Sequence, residues 1–232
     1  MKLLFAGPSL YGTKLDLGDI VLRPPACRGD ILDATLEGAN AIGLVDGNFE
    51  AAASVWHKEI LYALSQGVAV FGASSMGALR AAECRRFGMR AIGEIANAYA
   101  DGRLDDDAAV ALQHGPPEFD YVPFTVPLVD ALATLDALRQ SGRLSLREAS
   151  EIERQAEALH FKDRTIEAMC GRRTDMTALL NRHFFSQKTA DALELVQALR
   201  QAPDERGPTP AEWRLADSPF WLQMAASRNL QR

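Results

Sequence analysis

Four short apolar runs, each closed by turn residues, constrain the fold of this chain more than any other feature. They are "KLLFAG" ending at Gly7-Pro8, "DIVLRP" ending at Pro24-Pro25, "AIGLVDG" ending at Asp46-Gly47, and "VAVFGA" running into Ser74-Ser75. Each is continuously apolar rather than alternating. A strand of that kind is covered on both faces, which is the habit of parallel sheets. Helical patterns separate the later runs. "GDILDATLEG" has Asp30 near its start and Gly38 at its end. "SVWHKEILYALSQG" has Ser54 as candidate N-cap and Gly67 beyond its end. A third helix leaves Ser75 and closes at Gly88.

Strand, helix, strand in this order gives an α/β fold with a Rossmann-like layered parallel sheet, assigned to residues 1–120. "MRAIGEI" and "AAVALQHG" are candidates for further strands or edge elements. From about residue 128 the period becomes helical: "LVDALATLDALRQSG", "LREASEIERQAEALHF", "TIEAMCGRR" and "TADALELVQALRQA". Ser145 with Glu148 forms a capping-box pattern before one of them. Residues 121–201 are therefore expected as an appended helical portion. Residues 202–232 are expected as a flexible linker, "PDERGPTP", and an exposed tail carrying Trp213 and Trp221.

Composition narrows the function. A formal charge of −6 argues against nucleic-acid binding, and 47% hydrophobic residues argues against disorder. The three cysteines are far apart, with no CxxC spacing, so neither a zinc site nor a disulfide framework is indicated. The opening apolar run is about five residues, too short for a signal peptide core, and no run approaches the ~18 of a membrane span. A cytoplasmic protein is expected. No glycine-rich nucleotide motif follows any strand.

In parallel α/β sheets ligands gather where strands end and helices begin. Asp46, Lys58 and Ser75 all fall on that edge. Ala73-Ser74-Ser75-Met76-Gly77 has the form small-x-Ser-x-Gly, the outline of a nucleophile elbow with Ala in the first small position. In that reading Ser75 is a nucleophile and the N–H groups of Met76 and Gly77 hold an oxyanion. Lys58 is the candidate base, with a helix start and Trp56 both acting to depress its pKa. Each residue also has an ordinary role. Ser75 can be a helix cap, Lys58 a solvated surface charge and His57 a packing partner of Trp56. Arg23 and Arg28 can form an anion pocket or pair with Asp30 and Glu37. Asp46-Gly47 can be a plain turn.

The blocks "FAGPSL", "LRPPACRGDIL", "GLVDGNFE", "VWHKEILYALSQGVAVFGASSMGALRAAE", "FGM" and "DGRLDDDAAVALQHGP" are similar, in order, to the core of the TfuA proteins, over residues 3–117. That resemblance implies a role beside a YcaO-family enzyme in peptide backbone thioamidation. The YcaO partner spends ATP to activate an amide oxygen of its peptide substrate. The TfuA protein, with no cofactor of its own and no metal, releases sulfur from the C-terminal thiocarboxylate of a ThiS-type carrier and helps YcaO engage its substrate. The resemblance implies a hydrolase-like Ser–Lys pair, carried over here to Ser75 and Lys58. The strand-edge loops, with Ser9, Arg23, Arg28, Asp46 and His57 as candidate substrate-binding residues, are expected to form a narrow groove for the carrier's tail. A docking module without chemistry, and an unrelated Ser–Lys hydrolase, are the two other classes.

Overall fold

The computed structural model describes residues 1–48 and 52–228, so Phe49 and Glu50 of the "GLVDGNFE" block lie outside the described residues. Four strands form at the four apolar runs: β1 (Lys2–Phe5), β2 (Ile20–Arg23), β3 (Ala41–Leu44) and β4 (Ala69–Gly72). The two-residue β5 (Arg90–Ala91) lies in the "MRAIGEI" segment. All pair in parallel, in the order β2-β1-β3-β4-β5. The sequence direction reverses between β1 and β3, and a crevice opens there beyond the strands' C-terminal ends. "AAVALQHG" gives a single tight turn at Asp107–Val110 and an isolated bridge at His114, not a strand of the sheet.

Helices α1 (Asp30–Leu36), α2 (His57–Ser65) and α3 (Met76–Cys84) cover one face of the sheet, where Ile31, Ile60 and Ala81 pack on Leu3, Ile42 and Val70. Ser54 does not cap α2. The helix begins at His57, and the Glu59 carboxylate accepts the Trp56 N–H at 2.7 Å. The same buried carboxylate also accepts the N–H groups of Gly29, Ile31 and Leu32 at the start of α1. One side chain thus satisfies two helix starts whose amides have no partner within their own helices.

The next helices are α4 (Gly93–Ala100), α5 (Leu128–Gln140), α6 (Leu146–Ala158), α7 (Ile166–Cys170) and α8 (Thr174–Arg182). From α5 to α8 they build a core of their own around Leu135, Ile152, Met169 and Leu180. The capping box at Ser145 and Glu148 is present. Helix α9 (Gln187–Arg200) returns to the sheet and covers its second face, setting Ala192, Leu195, Val196 and Leu199 against Leu4, Val45, Phe71 and Ala73. A Cβ on Gly43 would lie 2.6 Å from Leu195, so that glycine admits the close approach of α9 to β3. The boundary expected at residue 120 therefore does not separate two packing units: α9 belongs to the sheet's layers.

The tail is packed rather than free. The Arg206 guanidinium donates to the carbonyls of Thr35 and Ala39, and Gly207 N–H to Gly67 at 2.8 Å. Helix α10 (Pro219–Ala226) lays Trp221, 4% exposed, against Tyr62, and Trp213 packs on Phe87. Apolar surface on these aromatics overrides the linker-like composition. Among the described residues no helix is long and apolar enough to cross a membrane.

Candidate active site

Strand β4 ends at Gly72, and α3 begins at Met76 after three intervening residues. Gly77 sits where α3 crosses the end of β3, and a Cβ there would lie 1.7 Å from the Leu44 carbonyl oxygen. Only glycine permits that approach. The intervening turn is tight: Ser75 N–H donates back to the Ala73 carbonyl at 2.8 Å, with Ser74 between them at φ +63°. This is a γ-turn of the rare, strained hand. Strain of this kind persists where surrounding contacts fix it, and functional sites collect it. Ser75 occupies the N-cap position of α3, yet its hydroxyl makes no capping bond.

That hydroxyl instead meets a lysine, and the lysine is Lys188. Its ammonium Nζ lies 3.2 Å from Ser75 Oγ and donates to the Val110 carbonyl at 2.8 Å. Lys188 is the second residue of α9 and is 2% exposed. Burial pushes its pKa below the ordinary lysine value, while Asp46 and Asp130 act in the opposite sense. Lys58 is elsewhere. Its Nζ donates to the Ala216 carbonyl of the tail at 2.5 Å. The Trp56 ring carries the Arg28 guanidinium, 4.9 Å from its centroid. The expected Ser75–Lys58 juxtaposition does not form, because the start of α2 faces the tail while the start of α9 faces the β4–α3 turn.

The other candidates divide the same way. Asp46 and Ser9 join the site. The Asp46 carboxylate accepts from Gly7 N–H, Ser9 N–H and the Ser9 hydroxyl at 2.8, 3.0 and 2.7 Å, tying the loop after β1 to the end of β3. Those two amides are thereby committed. Gly77 N–H is committed too, donating to the Val45 carbonyl at 3.1 Å. Of the two expected oxyanion donors, Met76 N–H is left. His57 and the two arginines stand apart: His57 pairs with Glu83 at 2.7 Å, Arg23 with Glu37 at 2.6 Å, and Arg28 with Trp56.

Asp46, Ser75 and Lys188 line one cavity of about 540 Å³, with His114 and Phe124 at its wall. The His114 ring donates from Nδ1 to the Gly115 carbonyl at 2.7 Å, since a carbonyl only accepts. A larger, mainly apolar hollow of about 870 Å³ adjoins it, sharing Pro8, Leu112, Phe124 and Lys188 but not Ser75. Lys188 lies on the wall that the two hollows share, and neither Arg23 nor Arg28, expected to line the groove, borders either of them. A hydroxyl, a desolvated amine within proton-transfer distance, and an adjoining hollow of ligand size are the elements of a nucleophilic hydrolase site.

Lys188, Ser74 and Asp130 were missed by the sequence reading. A signal for Lys188 existed: Ser186 precedes it as an N-cap, accepting Thr189 N–H at 3.1 Å, so Lys188 satisfies the same helix-start criterion that selected Lys58. No curated protein matches the chain. The family model described as TfuA-like protein matches residues 46–165, a span that holds Asp46, Ser75 and Asp130 and stops short of Lys188. That span covers more than half of the 232 residues, and the chain belongs to the TfuA-like family.

Proposed function

We propose that this protein is a serine hydrolase of the thioamidation machinery, with Ser75 as nucleophile and Lys188 as proton carrier. Its substrate is the C-terminal thiocarboxylate of a ThiS-type sulfur carrier, and its partner is an ATP-using YcaO-family enzyme. The observation that carries this reading is the 3.2 Å approach of a buried lysine amine to a serine hydroxyl that does no capping work.

The steps balance as follows. Asp46 faces the cavity, so an anionic thiocarboxylate enters against negative charge and needs Lys188 as its ammonium counterpart. The ammonium passes its proton to sulfur, giving a neutral thioacid and a neutral amine. The amine takes the Ser75 proton while Oγ attacks the carbonyl carbon. In this reading Met76 N–H donates to the oxyanion. Collapse of the tetrahedral intermediate breaks the carbon–sulfur bond, and hydrosulfide leaves. The net change is transfer of the Ser75 proton to sulfur and formation of an acyl-serine. Water then frees the carrier as a carboxylate and releases one proton.

Intact-mass spectrometry of a thiocarboxylated ThiS-type carrier tests the reading. Conversion to the carboxylate is expected with the wild type and with Lys58→Ala, and is lost in Ser75→Ala and Lys188→Ala. Equal conversion by all four proteins would remove Ser75 from the chemistry. No conversion with the YcaO partner present would favour a docking role.

A further inference from the structure

The Lys188 backbone is gripped from two sides. Ser74, at the strained centre of the γ-turn, donates its hydroxyl to the Lys188 carbonyl at 2.6 Å. Asp130 on α5 accepts the Lys188 N–H on one carboxylate oxygen at 2.9 Å and the Ser186 hydroxyl on the other at 2.7 Å. One turn further along α5, Thr134 Oγ1 accepts Phe185 N–H at 3.0 Å, and its single proton is shared between the Asp130 carbonyl at 2.8 Å and the Phe185 carbonyl at 3.1 Å. All three side chains are buried: Ser74 at 0%, Thr134 at 1% and Asp130 at 4% exposed. A carboxylate buried this far is costly unless its oxygens are hydrogen-bonded, and here each oxygen has a donor from the start of α9.

We infer that Ser74 and Asp130 are positioning residues that hold the start of α9 so that the Lys188 amine reaches Ser75. This rests on the Ser75–Lys188 reading of the site. Neither residue touches the reacting atoms. Ser74 fixes Lys188 to the same turn that carries the nucleophile, and Asp130 fixes it to the α5–α8 helices. The site is therefore assembled only when those helices sit against the sheet. A displacement of about 1 Å at such a contact can cost about 100-fold in rate.

Two measurements test this on the intact chain. The first is the rate at which a fluorophosphonate phosphonylates Ser75, forming the P–O bond with loss of fluoride, followed by intact mass. Asp130→Asn keeps an oxygen for Lys188 N–H and offers an amide to Ser186, whereas Asp130→Ala removes the grip. Labelling is expected to slow about 10- to 100-fold in Ser74→Ala and Asp130→Ala and to stay within about threefold in Asp130→Asn. The second measurement is independent of serine reactivity. The chain has five lysines, so a protein labelled at lysine 13Cε gives a spectrum in which Lys188 is assigned by its loss in Lys188→Met. The Lys188 signal is expected to stand apart in the wild type and in Asp130→Asn, and to move toward the other lysines in Asp130→Ala. An Asp130→Ala protein with wild-type labelling and an unmoved Lys188 signal overturns the inference. If the wild type is not labelled at Ser75, the nucleophile reading fails, and the Lys188 signal still decides whether the grip exists.

Discussion

Two helix starts in this molecule carry a lysine at their second residue, and they could hardly differ more. At α2, Lys58 is only half-buried and donates to a tail carbonyl. At α9, Lys188 is sealed between the sheet and α5, with its amine on Ser75. Local sequence treats the two alike: a lysine in a first turn, against the helix dipole. What separates them is what packs over them. A lysine on the surface is a solvated charge, and the same lysine stripped of water has a depressed pKa and can exchange protons with a hydroxyl. The charged work at the start of α2 falls to Glu59 instead, which is structural.

The largest difference between the two starts is expected in reactivity. Lys188→Ala should slow phosphonylation of Ser75 by about 100- to 10,000-fold, the usual worth of a placed proton carrier, while Lys58→Ala leaves it within about twofold. Fluorophosphonate labelling rates decide it, and a strong loss in Lys58→Ala would erase the contrast. The pH profile sharpens the same point. With the fluorophosphonate, which brings no anionic sulfur to take the ammonium proton, reaction at Ser75 requires the neutral amine, so its rate should rise with pH and level off below the ordinary lysine range, because burial lowers the Lys188 pKa. A rise centred near the free-lysine value would mean that Lys188 is wet.

Stability should show the reverse ranking. Glu59→Ala leaves the amides of Trp56, Gly29, Ile31 and Leu32 without their acceptor, at a cost of about 2–3 kcal/mol measured by urea unfolding. Lys58→Ala, one residue away in sequence, should change stability by less than about 0.5 kcal/mol.

A smaller effect tests the α9 start. Burial raises the Asp130 pKa from 3.8 to about 6, against the opposing bonds from Lys188 and Ser186. The folded state then holds a proton between those two values that the unfolded state has lost. Asp130 therefore contributes stability below about pH 4 that disappears as pH rises through 6. The melting temperature of Asp130→Asn should fall less than that of the wild type across this window. Identical profiles would mean that Asp130 is not buried as described.

Much of the fold could be read from the chain because strand burial is written locally. The runs at Leu3, Ile42 and Val70 are apolar without alternation and became buried parallel strands, whereas the run at Val21 also pairs in parallel but forms the sheet's edge, with Val21 and Leu22 exposed, so its expected cover on both faces is absent. Ser75 could be found for the same reason: a strand end, small residues and a helix start are adjacent in sequence. Its partner could not, since Lys188 is 113 residues away. Gly43 was a faint sign that something approaches β3 closely, but nothing in its neighbours says that the visitor is α9. The tail misled for a related reason. The polar stretch before Trp213 reads as linker, and only the aromatic surfaces of Tyr62 and Phe87 reveal that it is held down.

By itself, then, the sequence determined the strands, the helices of the first face, the strained serine turn and the membership of the TfuA-like family. Hydrophobic periodicity, glycine at crowded crossings and turn chemistry act over a few residues, and so they are visible there. Tertiary structure decided which lysine loses its water and meets Ser75. That choice depends on which helix covers the second face of the sheet, and burial, unlike helix capping, is a property of everything that packs around a group.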